Sequence, residues 1–266
     1  MDKRLTFIGG GNIAQAILKG LLKTGYNPGS ILVSDPIEAQ GQLCEDLGVS
    51  WTQDNAEAAR DAQVVIFCVK PQLMETVATA LHGQLNDALV ISVAAGITLQ
   101  QLETWCGSQN IVRSMPNTPA LLGQGMFGLY ASDRVTSSDR ETTTALLSTV
   151  GAVRWFDQES DIDAVTAVSG SGPAYFFYLM EAMIDAAESL GLEREAAHAL
   201  VTQTALGAAV MAKEGAADPK TLRVQVTSPN GTTHAACEHL KEGGFEALIH
   251  GALTAARDRS VQLSTS

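Results

Sequence analysis

The strongest constraint on this chain lies within its first fifteen residues. A short apolar run, Leu5-Thr6-Phe7-Ile8, leads into Gly9-Gly10-Gly11-Asn12-Ile13-Ala14. A helical pattern follows, with Ile13, Ile17, Leu18, Leu21 and Leu22 on one face and Gly25 where the helix should stop. Gly9-x-Gly11-x-x-Ala14 between a strand and a helix has the spacing of a dinucleotide-binding turn. Gly9 permits the tight turn, Gly11 lets a pyrophosphate approach the backbone, and Ala14 keeps helix and strand close. The helix start then offers its unpaired N–H groups to the phosphates. A glycine-rich turn chosen only for packing would look the same in isolation; its place at the head of a strand–helix–strand unit favours the nucleotide.

The pattern continues. Ile31–Ser34, Gln63–Val69, Ala88–Val93 and Ile111–Arg113 read as further strands. Helical stretches lie between most of them, at 36–47, 72–82 and 98–106. Near-continuous apolar strands alternating with helices predict a parallel sheet covered on both faces. From Asp161 onward no strand stands out. Helices are predicted from Ser171-Gly172-Pro173 to Gly191, from Glu193 to Glu214, from Asp218-Pro219 to about Thr227, and over 245–262. The expected architecture is α/β: a Rossmann-like dinucleotide-binding domain at 1–160, then an all-helical domain at 161–266.

Composition narrows the function. The chain has 266 residues and a formal net charge of −12. A basic phosphate-tracking surface is therefore not expected, and with it no nucleic-acid partner. No apolar run reaches the length of a membrane span, and the N-terminus lacks the pattern of a signal peptide, so a cytoplasmic protein is expected. Cys44, Cys68, Cys106 and Cys237 form no C-x-x-C pair and read as reduced thiols.

The end of the second strand should meet the adenosine ribose. It reads Ser34-Asp35-Pro36. An aspartate there pairs with a 2′-hydroxyl and repels a 2′-phosphate, favouring NADH; Ser34 suits either cofactor. Asp35 is equally a helix N-cap ahead of Pro36, so NADPH and NADH both stay open.

In the helical half, Tyr175-Phe176-Phe177-Tyr178-Leu179-Met180 is apolar around most of a helix. A helical domain of about a hundred residues has little interior to hide it, so an oligomer interface is expected. Lys213, Lys220 and Lys241 sit near helix ends and read as surface charge, and His198 and His250 as ordinary helix residues. His234, Cys237, Glu238 and His239 resemble a metal cluster, but a spacing of five separates the histidines on the helix, and no metal is expected.

These residues together resemble the Δ1-pyrroline-5-carboxylate reductase family. The resemblance runs through Phe7–Ala14, Val69-Lys70-Pro71, Ala94-Ala95-Gly96-Ile97-Thr98, Met115-Pro116-Asn117-Thr118-Pro119, Ser169-Gly170-Ser171-Gly172-Pro173-Ala174-Tyr175 and Ser228-Pro229-Asn230-Gly231-Thr232-Thr233. The last two stretches are the specific ones. The resemblance implies reduction of the C=N bond of a cyclic imino acid, with NADPH or NADH as cofactor and L-proline as product. It also implies cofactor contacts from Ile8, Gly9, Gly10, Gly11, Asn12, Ile13, Ser34, Asp35, Asn55, Cys68, Val69, Lys70, Pro71, Val93, Ala94, Ala95 and Asn117. It further implies a homodimer, with dimers gathering into larger rings, up to a decamer of dimers. Asp35 departs from the Ser- or Arg-containing sequences often found at that position in the family.

The substrate so implied is a five-membered ring with a carboxylate and an imine nitrogen. Its carboxylate needs a grip. Pro229-Asn230-Gly231 reads as a turn and Thr232–Glu242 as a short helix ended by Gly243-Gly244. The N–H groups of Gly231, Thr232 and Thr233 are then expected to be free, an anion site without a basic side chain. Ser228 and Asn230 shape the turn or touch the substrate. Thr233 adds a hydroxyl, and the resemblance assigns it the catalytic role at the carboxylate or the ring nitrogen. The plainer reading is that Thr232 or Thr233 merely caps the helix. Two rivals remain: another reductase of the same architecture, and a nucleotide-binding regulator without catalysis.

Overall fold

In the computed structural model, which describes residues 3–264, the apolar runs form strands and the segments between them form helices. The strands are β1 (Leu5–Ile8), β2 (Ile31–Ser34), β3 (Ser50–Thr52), β4 (Val64–Phe67), β5 (Leu89–Ser92), β6 (Ile111–Met115), β7 (Gly125–Ala131) and β8 (Gly151–Trp155). Between them lie α1 (Asn12–Lys23), α2 (Glu38–Glu45), α3 (Asn55–Ala59), α4 (Pro71–Ala80), α5 (Leu99–Cys106) and α6 (Ser137–Leu147); α7 (Asp161–Val165) follows β8. Among the described residues they make one sheet of order β3-β2-β1-β4-β5-β6-β7-β8. Phe7, Val33, Ile66, Ile91 and Val112 pack on one face; Ile8, Val65, Phe67, Val90 and Ile111 pack on the other. Burial on both faces is why these strands are apolar at consecutive positions.

One expectation needs correction. The sheet is mixed: β7 runs antiparallel to β6, and β8 parallel to β7. The link from β6 to β7 holds only the 3-10 turn Thr118–Leu122, too short for the crossover that a parallel neighbour needs. β7 also hides its strand character behind glycines. A Cβ on Gly128 would lie 2.4 Å from Val165 Cγ1, so the glycine is where α7 presses on the strand.

The chain divides into two compact units, at Ser171/Gly172 and again at Thr254/Ala255. The division differs from the seam expected at residue 160 for two reasons. α7 packs on β7, as just described. The end of the last helix also belongs to the first unit, where Ser260 Oγ donates to Asp163 Oδ1 at 2.7 Å and Leu263 Cβ lies 3.1 Å from where a Gly96 Cβ would stand.

The second unit is helical: α8 (Gly172–Ser189), α9 (Arg194–Glu214), α10 (Pro219–Gln225), α11 (Thr232–Glu242) and the greater part of α12 (Phe245–Ser264). Its buried apolar cluster is small, Ile184, Ala197 and Val201 with Met180 and Ala187 against them. Phe176, Phe177 and Tyr178 stay exposed, Tyr178 at 74%, and Leu190 reaches 86%. Among the described residues no helix is long and apolar enough to cross a membrane.

Candidate active site

The sheet register gathers the expected cofactor residues. Ile8 pairs with Ser34 and with Phe67, and Phe67 pairs with Ser92. The turns that follow β1, β2, β4 and β5 therefore leave from one edge of the sheet. The strand order reverses between β1 and β4, the place where open α/β sheets form a crevice.

At that edge Gly9 has φ +101° and donates to the Ser34 carbonyl at 2.7 Å, while Cys68 N–H donates to the Ile8 carbonyl at 2.7 Å. A Cβ on Gly9 would stand 2.9 Å from the Cys68 carbonyl carbon, so no other residue fits there. Gly11 is different. It begins α1 as N-cap with φ −68°, and an added Cβ would meet nothing within 4 Å. Neither packing nor backbone geometry requires glycine here, and its absence of a side chain leaves the backbone open to a group from outside. Among the described residues no side chain caps α1 and no acidic residue sits in its first turn, so its opening N–H groups have no side-chain partner. The cradle fits a pyrophosphate. Asn12 is exposed and Ile13 half-buried at its rim.

Asp35 is only 8% exposed and already committed. One carboxylate oxygen accepts from Gly10 N–H at 2.7 Å and the other from Ile37 N–H at 2.9 Å. It neither caps α2, whose N-cap is Ile37, nor points freely to solvent. The opposite side of the Gly10 peptide is held too, by Gln15 Nε2 donating to the Gly10 carbonyl at 3.2 Å. Gln15 escaped sequence reading; a polar residue on the inner face of α1 was the available signal. Ser34 Oγ donates to Asn55 Oδ1 at 2.6 Å, which brings β2 and the start of α3 together.

Cys68, Val69, Lys70 and Pro71 form the turn into α4, with Lys70 as N-cap and Pro71 in the first helical turn. Burial pushes the Cys68 thiol up to about 12, so it stays protonated at neutral pH and is no nucleophile. Val93, Ala94 and Ala95 follow β5; Val93 N–H donates to the Phe67 carbonyl at 3.1 Å. Asn117 has its side chain engaged at both ends: Nδ2 donates to the Ser169 carbonyl at 3.0 Å, and Oδ1 accepts from Met126 N–H at 2.9 Å. This ties the Met115–Pro119 stretch to the Ser169–Tyr175 stretch. They also touch at Gly170, where a Cβ would stand 2.4 Å from Met115 Cε, next to the π-helical turn Thr166–Gly170.

In the second unit, Asn230 takes the left-handed conformation, φ +60°, which asparagine tolerates. Gly231 N–H donates to the Ser228 carbonyl at 3.0 Å, closing the turn. The expectation of a free Gly231 N–H is therefore corrected: the tight turn uses it. Gly231 is the N-cap of α11, and among the described residues no side chain caps that helix. Thr232 and Thr233 thus do not act as caps, and their N–H groups open α11 without an intrahelical partner. Thr233 is half-buried, Thr232 exposed, and Ser228 and Asn230 exposed on the turn. The arrangement offers amides and hydroxyls to an anion, with no acidic residue in the first turn.

Sequence reading also missed Arg113 and Glu159, joined at 3.0 Å between Nη1 and Oε1. Among the described residues no group of three His, Cys, Asp or Glu side chains converges on a metal position.

Comparison with known proteins accounts for both units. A family profile described as pyrroline-5-carboxylate reductase dimerisation matches residues 159–263, and one described as NADP oxidoreductase, coenzyme F420-dependent, matches residues 4–96. A pyrroline-5-carboxylate reductase of Pseudomonas aeruginosa is 50% identical over 98% of this chain and 97% of that protein. The structure of a pyrroline-5-carboxylate reductase from Coxiella burnetii superposes with a TM-score of 0.94 at 42% identity, covering 99% of each chain. That of the Plasmodium falciparum enzyme with NADP bound gives 0.88 at 29% identity, over 99% of this chain and 98% of that one. Similarity of this extent, over the whole length, means that the chain belongs to the pyrroline-5-carboxylate reductase family.

Proposed function

We propose that this protein reduces L-1-pyrroline-5-carboxylate to L-proline, the last step of proline biosynthesis, as an NAD(P)H-dependent oxidoreductase. The observation that carries the reading is the pairing of two features in one chain: a nucleotide cradle whose Gly11 has no packing reason, and an uncapped α11 that begins with two threonines.

When bound, the reduced nicotinamide supplies the hydride. The chain's own residues bind and orient. The turn at Gly9–Ile13 would hold the pyrophosphate on backbone amides. Ser34, Asp35 and Asn55 would line the adenosine side of the cofactor, and the 68–71 and 93–95 turns and Asn117 would serve its nicotinamide side. The N–H groups of Thr232 and Thr233 donate to the substrate carboxylate, with Ser228, Asn230 and Gly231 shaping the turn before them. The Thr233 hydroxyl donates to the carboxylate or faces the ring nitrogen. A cyclic imine of this kind takes its proton from water, so no strong acid is required. Orientation alone is worth ~7–11 kcal/mol of barrier, enough for a site without a charged catalytic group.

In this reading the first unit serves the cofactor, and the second serves dimerisation and substrate. The exposed apolar side chains of α8 and the small cluster beneath them support a homodimer, on which a decamer would be built. The protein works in the cytoplasm.

The test is direct: follow oxidation of NADPH and NADH with pyrroline-5-carboxylate, and with a 2-keto and a 3-keto acid. Turnover is expected with the imine alone; its absence rejects the reading. Asp35→Asn provides a second measurement. Both carboxylate oxygens are spent on backbone amides, so the variant loosens the Gly10 turn for either cofactor. Affinities for NADH and NADPH should fall in parallel, by about fivefold for one weakened hydrogen bond of ~1 kcal/mol. A gain in NADPH affinity alone would instead make Asp35 a phosphate-repelling residue.

A further inference from the structure

The turn between β5 and α5, residues 93–98, is fastened at both ends by different means. Its front is held by the sheet, through Val93 N–H on the Phe67 carbonyl. Its rear is held by a side chain from far along the chain. Glu159 Oε1 accepts from the backbone N–H of Leu99, the first residue of α5, at 2.8 Å. The same oxygen meets Arg113 Nη1 at 3.0 Å. Arg113 lies in β6 with its side chain 3% exposed, against 31% for Glu159. Among the described residues its Nε and Nη2 have no hydrogen-bond partner, so Glu159 is the group that meets this buried guanidinium. Within the turn, Gly96 takes φ +72° and Thr98 forms a capping box with Gln101, which sets the helix start but not its place on the sheet.

We propose that Glu159, oriented by Arg113, is a positioning residue that clamps the Val93–Thr98 turn, and with it the nicotinamide side of the cofactor, in the geometry for hydride transfer. The inference rests on the reading that Val93, Ala94 and Ala95 contact the cofactor. The clamp also brings together segments that lie far apart in sequence: the Ala94–Thr98 stretch, the strand leading into Met115–Pro119, and the loop before α7. A displacement of about 1 Å in a reacting group costs as much as ~10²-fold in rate, so a turn with one loose end is enough to matter.

A structural role and a positioning role are separated by two double variants. R113M/E159Q and R113M/E159L both remove the buried charge pair, which neutral packing replaces at little cost. They differ in one respect: glutamine still accepts from Leu99 N–H, and leucine does not. The full-length dimeric enzyme is compared in each form by Tm, cofactor Kd, kcat with pyrroline-5-carboxylate, and the isotope effect with cofactor deuterated at the transferred position. The expected result is a kcat about tenfold lower in the leucine than in the glutamine variant. The isotope effect is expected to rise in the leucine variant, with Tm values within a few degrees of each other and cofactor Kd little changed. Equal kcat and equal isotope effects in the two variants overturn the proposal. If the leucine variant does not fold, R113M/E159A takes its place under the same criterion. Ala95→Leu tests the underlying reading separately: unchanged kcat and cofactor KM there would remove the cofactor contact itself. A lowered value with equal double variants would remove only the clamp.

Discussion

Gly9→Ala is expected to abolish measurable cofactor binding and to lower the Tm of the first unit by roughly 5–10 °C. Two costs combine. At φ +101° an alanine is strained by ~1–3 kcal/mol. Its methyl would also stand 2.9–3.1 Å from the Cys68 carbonyl and the Val69 nitrogen, which are backbone atoms that cannot rotate aside. The strand ends at Ile8 and Phe67 would have to part, opening the turn that carries the pyrophosphate amides. Each kcal/mol is worth ~2–4 °C in a unit of this size. Gly11→Ala is the matched control. Its φ of −68° suits alanine and its methyl meets open space, so Tm should hold within about 1 °C. Cofactor affinity should nevertheless fall more than tenfold, because the methyl occupies the path of the pyrophosphate. Thermal melts with and without NADPH, and titration of both variants, check the pair. A Gly11→Ala protein that binds NADPH as tightly as wild type would remove the pyrophosphate from this turn.

The contrast between these two glycines shows what the sequence could and could not disclose. Their spacing was legible at once, because a strand followed by Gly-x-Gly-x-x-Ala and a helix has few other uses. Which glycine serves the fold and which serves a ligand needed the neighbouring Cys68 carbonyl, which lies on another strand. The helical half was legible for a similar reason: Pro173, Gly191, Gly215, Pro219 and Gly243 punctuate it, and the helices follow those marks within a residue or two. The strands and helix within 116–160 have no clear pattern in the sequence. β7 carries glycine at 125 and 128, demanded by close approach of Ala120 and Val165, and so loses the β-branched run that announces a strand. β8 is only five residues long and carries no fully buried side chain. The Arg113–Glu159 pair spans 46 residues, and neither member stands in a motif. Long-range pairs of this sort leave no local pattern. Asp35 was read as a ribose contact or a cap; in the fold it binds two backbone amides, one of them 25 residues away.

Thr233→Ala tests the proposed grip on the substrate. Among the described residues no side chain caps the first turn of α11, although two hydroxyl residues stand at its start. Gly231, the N-cap, has its own N–H tied to Ser228, so the anion-accepting set narrows to the amides of Thr232 and Thr233 and to their hydroxyls. Because Thr233 does not cap, its removal should cost little stability, a Tm change of about 2 °C or less. A hydrogen bond to a charged group is worth about 1.5–3 kcal/mol, so kcat/KM for pyrroline-5-carboxylate should fall roughly 10–100-fold. Cofactor Kd should stay within about twofold, since the proposed role of Thr233 is toward the substrate. Thr233→Ser keeps the hydroxyl and should recover most of the activity. Whether the loss falls on KM or kcat locates the contact: a raised KM alone means uniform grip on the carboxylate, and a lowered kcat means an interaction made only as the ring nitrogen becomes an amine. Unchanged steady-state kinetics in Thr233→Ala would sink the assignment. The hydroxyl would then be a bystander, and the grip would rest on the helix amides alone.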